Sequence, residues 1–291
     1  MPQTMPTAIL GRTGLSVTRL GYGGAHRRPQ TDESARAVHE AVLDAGINFI
    51  DTADDYGNSE ELIGRFLSGR SAEFYLATKC GSSDSGHVWT KENCLRNVDE
   101  SLRRLKAEYV DVMQLHNPSV AECESGGLVE ALQEMKRQGK VRWIGASTTL
   151  PHLPVYLEWG VFDVFQIPYS ALERDHEDWI TKAAEAGIGI VIRGGVAMGE
   201  PGAGIGKAER WEKFEEAGLD ELRDEGDNRT AFLLRYTLTH PHADTIIVGT
   251  TNTDHLRQNV DTIRRGPLPA DTYAEAKRRL DAAGVRPASV D

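Results

Sequence analysis

The fold is decided by YVDVMQLH (109–116) and by the two segments that follow it, LVEALQEMKRQGK (128–140) and VRWIGAS (141–147). The first and last segments are short, apolar and rich in β-branched residues, as buried strands are. In the middle segment, apolar residues recur three and four positions apart, which is typical of an amphipathic helix. The order strand, helix, strand predicts a βα unit whose two strands run parallel.

The same alternation extends over most of the chain and gives eight candidate strands. The other six are VTRLGYG (17–23), FIDTA (49–53), FYLATK (74–79), DVFQIPYS (163–170), GIVIRG (189–194) and DTIIVGT (244–250). Eight βα repeats in about 250 residues is the size of a closed parallel barrel. A doubly wound open sheet is the alternative, but it usually has fewer strands and a G-x-G-x-x-G turn after the first, which is missing here. The sequence therefore predicts an α/β protein with a single (β/α)8 TIM barrel.

Two segments depart from the regular repeat. The Pro- and Gly-rich segment GEPGAGIGKAER (199–210) makes the seventh connection long, and LPADTYAEAKRRLDAAG (268–284) predicts an extra C-terminal helix after the eighth unit. No linker divides the chain, so residues 1–291 are expected to form one domain.

Composition limits the classes of partner. The chain has 33 Lys and Arg against 44 Asp and Glu, a net charge of −11. That sign repels phosphate backbones and anionic membranes, so neither nucleic acid nor a membrane is an expected partner. The N-terminus shows no signal-peptide pattern and no apolar run approaches the ~18 residues of a spanning helix, which predicts a cytoplasmic protein. No oligomeric state is predicted.

Polar residues end almost every candidate strand. In such barrels the loops at the carboxyl ends of the strands converge over one mouth, where the chemistry takes place. Side chains at these ends should therefore face one cavity. The strand ends are Asp51, Lys79, His116, Ser147, Gln166 with Tyr169, Arg193 and Thr250.

Four residue types at successive strand ends suggest proton chemistry at a carbonyl group: Asp51, Tyr56, Lys79 and His116. A phenol titrates near ~10, so alone it is a poor proton donor at neutral pH. A neighbouring ammonium from Lys79 would favour the phenolate and lower that pKa, Asp51 would hold the ammonium in place, and a neutral histidine could direct a carbonyl oxygen. Each residue alone has a structural interpretation, as a turn, a cap or a solvated charge. Their occurrence together makes a catalytic set the better interpretation.

The chain resembles the aldo-keto reductase family over nearly its whole length, from LGRTGLSVTRLGYGG (10–24) to TIIVGTTNTDHLRQNV (245–260). The segments FIDTADDYGNSEELIG (49–64), LATK (76–79) and VDVMQLHNP (110–118) look like the family's signatures. The resemblance implies reduction of an aldehyde or ketone to an alcohol, or the reverse, with a nicotinamide dinucleotide bound without a Rossmann fold. Tyr56 would be the general acid, Lys79 and Asp51 its tuning pair, and His116 the residue that orients the carbonyl.

The resemblance also implies a set of cofactor contacts. Ser147 and Gln166 would hold the nicotinamide carboxamide, and Arg193 replaces an aromatic residue that usually stacks on the nicotinamide ring. Where several relatives place Lys and Arg against a 2′-phosphate, this chain has Gly249 and His255. NADPH is the preferred cofactor and NADH is possible. The full predicted set is Ser147, Thr148, Gln166, Arg193, Gly194, Gly249, Thr250, His255, Gln258 and Asn259.

The substrate is a small-molecule carbonyl or alcohol, and its predicted pocket walls are Tyr22, His26, Asp54, His87, Trp89 and Tyr169. Polar walls suggest a sugar, a hydroxyaldehyde or a pyridoxal-like carbonyl. No metal site is predicted, since neither the acidic cluster around Asp54 nor His240-Pro-His242 has ligand spacing tied to a second cluster. The alternative function is that of a redox sensor, a regulatory subunit that binds the cofactor with little turnover, as potassium-channel β subunits of this family do.

Overall fold

The computed structural model describes residues 4–25, 31–202 and 204–290. Eight parallel strands close into a barrel in which each strand pairs with its neighbours in chain order and the last pairs with the first. The predicted (β/α)8 barrel is therefore confirmed. The barrel strands, labelled β1 to β8, are Leu20–Gly23, Phe49–Asp51, Tyr75–Cys80, Val110–His116, Val141–Ser147, Val164–Pro168, Gly189–Arg193 and Thr245–Val248.

Helices surround the barrel on its outside. One helix, Ala270–Ala282, lies within the segment predicted as the extra C-terminal helix. Several helices begin at a side-chain cap; for example, Thr90 accepts a hydrogen bond from Asn93 N at the start of the third helix. The α-helices of the described residues, labelled α1 to α11, are Asp32–Asp44, Ser59–Phe66, Lys91–Leu105, Val120–Ser125, Leu128–Arg137, Leu153–Trp159, Glu177–Glu185, Ala208–Glu216, Arg229–Thr239, Thr253–Arg265 and Ala270–Ala282.

The first predicted strand, 17–23, was wrong in its extent. Ser16–Thr18 pairs antiparallel with Thr7–Ile9 in a hairpin, and the barrel strand begins only at Leu20. Leu10 and Val17 of this hairpin region are fully buried in one cluster with inward-facing barrel residues. The run is divided because its first part packs against the barrel interior instead of continuing the strand.

The barrel interior is layered because side chains alternate direction along each strand. In five strands, the inward residue nearer the amino end is apolar, and these five residues form a single cluster with Leu10 and Val17. The inward residue two positions later is polar, which places a charged and amide-rich layer directly above the apolar one. These pairs are Phe49 and Asp51, Ala77 and Lys79, Val112 and Gln114, Val164 and Gln166, and Val191 and Arg193.

No helix in the described part of the chain is both long enough and apolar enough to span a membrane.

Candidate active site

The centre of the polar layer is an ion pair between β2 and β3. Lys79 Nζ lies 2.6 Å from Asp51 Oδ2, and both side chains are excluded from solvent. The ammonium also donates a hydrogen bond of 2.8 Å to the backbone oxygen of Thr52. Burial lowers the pKa of Lys79, but the Asp51 carboxylate and the Tyr56 phenol outweigh it, so the net pKa is raised and the lysine is held as a cation.

Two amides fix the other carboxylate oxygen. Gln114 and Gln166 each donate a hydrogen bond to Asp51 Oδ1, at 2.9 and 2.8 Å. The single side-chain nitrogen of Gln166 thus donates one hydrogen bond to Asp51, although the sequence suggested only a cofactor contact for this residue. Gln114 was missed by sequence reasoning. Its position two residues before His116 on β4, hence on the same strand face, was the signal that could have found it.

Tyr56 follows β2 and lies beside this pair, with Lys79 Nζ 4.7 Å from the centre of its ring. Burial raises the pKa of Tyr56 above its usual value, and the Lys79 ammonium opposes that rise without cancelling it. The predicted net lowering of this pKa was therefore wrong, because the sequence showed the neighbouring charge but not the depth of burial. At neutral pH the phenol carries its proton.

His116 ends β4 next to the phenol. Its ring centre is 5.5 Å from that of Tyr56, with the two planes at 77°. Nδ1 of His116 lies 3.2 Å from Asp55 Oδ1, but the contact lacks the alignment of a hydrogen bond, and Nδ1 is buried without a hydrogen-bond partner in the described part of the chain. From the sequence, Asp55 was considered only as a member of the acidic cluster around Asp54, and no role beside His116 was predicted for it.

The neighbouring loop forms one wall of the site. His87 stacks on Trp89 with ring centres 4.9 Å apart and planes at 9°. Trp89 packs directly over Gly81, where an added Cβ would fall 1.9 Å from the indole. Asp54 Oδ2 accepts a hydrogen bond from Ser82 N, whereas its Oδ1 is buried and has no hydrogen-bond partner among the residues that the structure describes. Burial raises the pKa of Asp54.

Two of the predicted pocket walls belong to the core instead. Tyr22 is fully buried beside His39 of α1, with ring centres 5.4 Å apart. Tyr169 is also fully buried, and its hydroxyl lies 3.2 Å from that of Tyr273 in α11. Both side chains point from the strands toward the helices, so the prediction that they contact substrate was wrong. His26 lies outside the described residues.

The predicted cofactor residues lie along the same mouth. Ser147 ends β5 and Thr148 follows it, and both are buried, while the Nε atom of Arg193 at the end of β7 is buried without a hydrogen-bond partner among the described residues. Gly194 follows with a φ of +72°. The Arg193 guanidinium is suited to stack on a planar ring, and its unsatisfied N–H is suited to donate a hydrogen bond to a phosphate.

The eighth unit offers a different surface. His255, Gln258 and Asn259 are three and four residues apart at the start of α10, so they share a helix face, and the first two are exposed. Gly249 approaches β1 closely, since an added Cβ would fall 2.8 Å from the oxygen of Gly23. Thr250 forms a local turn with the backbone of Asn252. Hydrogen-bond donors near the exposed N-terminus of α10 are suited to contact the adenosine and phosphate end of a dinucleotide.

Comparison with known proteins agrees with this geometry. The aldo/keto reductase family model matches residues 19–280. An uncharacterized oxidoreductase of Bacillus subtilis is 28% identical over 86% of this chain and 89% of its own length. An L-galactose dehydrogenase of Arabidopsis thaliana is 27% identical over 87% of this chain and 86% of its own length. A solved aldo-keto reductase from Bacillus halodurans, in its holo form, superposes with a TM-score of 0.85 at 29% identity and covers 94% of this chain and 96% of that one.

Proposed function

Because this chain belongs to the aldo/keto reductase family, and is thus an NAD(P)-dependent oxidoreductase of small-molecule carbonyl compounds, we propose that Tyr56 is its general acid. The observation that carries the proposal is the Lys79 ammonium, 4.7 Å from the centre of the Tyr56 ring and tied to Asp51. A protonated phenol beside a fixed cation can give up its proton while the developing phenolate is stabilised.

A bound nicotinamide dinucleotide would supply the hydride. Tyr56 protonates the carbonyl oxygen, Lys79 stabilises the phenolate that remains, and Asp51 keeps Lys79 charged and in place. His116 lies at the phenol's edge and holds the carbonyl oxygen toward it. In alcohol oxidation the same phenol, deprotonated, accepts the hydroxyl proton.

NADPH is the proposed preferred cofactor and NADH the second candidate. Ser147, Thr148 and Gln166 would face the carboxamide. Gln166 keeps its second amide N–H and its carbonyl oxygen for this contact, because only one N–H is used in the bond to Asp51. Arg193 with Gly194 would lie against the nicotinamide or the pyrophosphate. The exposed face of α10 at His255, together with Gly249 and Thr250, would take the adenosine end, with Gln258 and Asn259 near adenine.

A polyhydroxylated carbonyl or its alcohol is the proposed substrate. Asp54 Oδ1 is a buried acceptor without a partner, and Asp55 and His87 add polar groups to the same wall. Substrate hydroxyls can satisfy such acceptors, whereas an alkyl chain leaves them unpaired at a cost of about 1–3 kcal/mol. The L-galactose dehydrogenase among the relatives supports a sugar-like substrate.

The test is Tyr56→Phe, assayed by the absorbance of reduced nicotinamide with a panel of aldehydes, ketones and sugars. We expect turnover to fall about 100-fold or more, the contribution of a general acid, while cofactor affinity measured by fluorescence stays unchanged. Tyr109→Phe, at an exposed tyrosine, is the matched control and should retain full activity. Full activity in Tyr56→Phe would remove the assignment. Cofactor binding by the natural protein without turnover of any carbonyl would favour the sensor.

A further inference from the structure

Three potential metal ligands converge beside the phenol: Asp55, His87 and His116. One ligand atom from each lies within 4.8 Å of the other two. His116 Nδ1 is 3.2 Å from Asp55 Oδ1, and His87 Nε2 is 3.6 Å from Asp55 Oδ2. The residues come from three separate segments: the loop after β2, the hairpin after β3 and the end of β4. Such convergence is not a consequence of local sequence.

The spacing suits a tetrahedral ion. Ligand bonds of about 2.0–2.2 Å to nitrogen and oxygen place neighbouring ligand atoms of a tetrahedron about 3.3–3.6 Å apart. The two separations to Asp55, which involve its two different oxygens, lie at or near this range, and the ligand atoms of the two histidines lie within 4.8 Å of each other. His87 is the ligand that would adjust, since its side chain is 40% exposed on a short hairpin.

The contacts are poorly explained as hydrogen bonds alone. Within residues 4–25, 31–202 and 204–290, His116 Nδ1 is buried without a hydrogen-bond partner although a carboxylate oxygen is 3.2 Å away. A buried ring nitrogen left unpaired costs free energy, and a cation between it and the carboxylate would satisfy both groups. Asp55 and His87 are partly exposed, so an ion could reach the cluster from solvent.

We propose that Asp55, His87 and His116 form a binding site for a divalent first-row transition ion of the Zn²⁺ class, with a fourth position open to solvent. Two imidazoles and one carboxylate are the ligand set of open zinc sites, whereas Mg²⁺ and Ca²⁺ require oxygen ligands. No redox step is involved, because the ion binds without changing its oxidation state.

The ion would act as an inhibitor, an effect that rests on the proposed function of His116. A metal on Nδ1 would hold the imidazole of His116, whose ring centre lies 5.5 Å from that of Tyr56, in one position and so oppose its interaction with the carbonyl oxygen. It therefore competes with the carbonyl substrate. The cofactor residues at the ends of β5 and β7 are not ligands of the ion, so its inhibition should not be competitive toward NADPH.

The site is tested by calorimetric titration of the purified chain with Zn²⁺, which requires no turnover. We expect one ion per chain and a loss of affinity of about tenfold or more in both His87→Asn and Asp55→Asn, since even outer-shell changes cost about 10–100-fold. His242→Asn is the control, because that histidine lies in the separate His-Pro-His turn. Thermal melting of each variant confirms that it is folded.

Unchanged Zn²⁺ affinity in folded His87→Asn and Asp55→Asn, or an equal loss in His242→Asn, would overturn the site. Anomalous diffraction at the zinc edge from soaked crystals gives an independent measurement: a peak between His87 and His116 supports the proposal, and a peak only elsewhere contradicts it. If Zn²⁺ binds as expected but Tyr56→Phe remains active, the metal site stands while the proposed catalytic assignment falls.

Discussion

Lys79 Nζ and Asp51 Oδ2 are 2.6 Å apart at a depth where neither side chain is accessible to solvent. Removing one partner of a buried pair leaves an uncompensated charge, which costs about 3–5 kcal/mol. Asp51 also accepts hydrogen bonds from the side-chain amides of Gln114 and Gln166. The loss of its charge therefore weakens these two hydrogen bonds as well as the ion pair. This pair should therefore matter for stability as well as for chemistry.

We accordingly expect Asp51→Asn to lower the free energy of unfolding in urea by about 3 kcal/mol, as for other broken buried pairs. The double variant Asp51→Asn with Lys79→Met should regain much of that loss, because no buried charge is then unpaired. Asp32→Asn, which breaks an exposed pair with Arg65, should change stability little. A single variant as stable as the natural protein would contradict the buried-pair interpretation.

The pH dependence of the reaction should reveal the coupling between Lys79 and Tyr56. Burial raises the pKa of Tyr56 and Lys79 opposes the rise. Reduction needs the protonated phenol, present below this pKa, so its rate should stay level at neutral pH and fall only as pH rises through the pKa. Oxidation needs the phenolate and should increase with pH over the same range.

In Lys79→Met the opposing charge is gone, so both transitions should move to higher pH, and the oxidation rate at any fixed lower pH should fall. The measurement is log kcat/KM for alcohol oxidation against pH, with Lys213→Met, at an exposed lysine, as the control. Identical pH profiles in the natural protein and Lys79→Met would show that Lys79 does not tune the phenol.

Periodicity was enough to predict the barrel, because eight apolar runs of strand length alternate with helical patterns, whereas a doubly wound open sheet usually has fewer strands and a G-x-G-x-x-G turn after the first. The polar strand ends likewise predicted Asp51, Lys79 and His116 at one mouth, since parallel strands share their carboxyl edge. The ion pair between Asp51 and Lys79 and the nearby position of His116 in the structure agree with that expectation.

The direction of individual side chains was harder to predict. Tyr22 is in register with Ile50, and both face the helices, whereas the next residue after Ile50, Asp51, faces the interior. A shift of one residue exchanges inside and outside, and the sequence does not mark that register at a strand end. Tyr169 was misplaced for the same reason. The proximity of Asp55 to His87 and His116 was not predicted, because these residues come from distant segments.

Cofactor preference should depend on His255. It is exposed at the start of α10, on the face shared with Gln258 and Asn259. If it meets the 2′-phosphate, His255→Ala should weaken NADPH binding several-fold and leave NADH binding unchanged, as measured by quenching of tryptophan fluorescence. Arg257→Ala is the control, because Arg257 is paired with Asp254. An equal loss for both cofactors in His255→Ala would show that this residue does not contact the phosphate.

A substitution at a neighbouring glycine can displace the wall formed by Trp89 and His87 while both of these residues are kept. Gly81 has a φ of +122°, and a Cβ there would fall 1.9 Å from the indole of Trp89. Gly81→Ala should therefore push Trp89, and with it the stacked His87, out of position at a cost of about 1–3 kcal/mol. We expect a higher KM for the carbonyl substrate and weaker Zn²⁺ binding, with cofactor affinity unchanged.

Gly86→Ala is the matched control for this prediction. Gly86 belongs to the hairpin that directly follows Gly81 and also has a positive φ, +108°, but a Cβ there has no described atom within 4 Å. Backbone strain is thus common to both variants, and only Gly81→Ala displaces the aromatic pair. If Gly86→Ala raised KM as much as Gly81→Ala, the effect would belong to the strained hairpin, and the positions of Trp89 and His87 would not determine substrate binding.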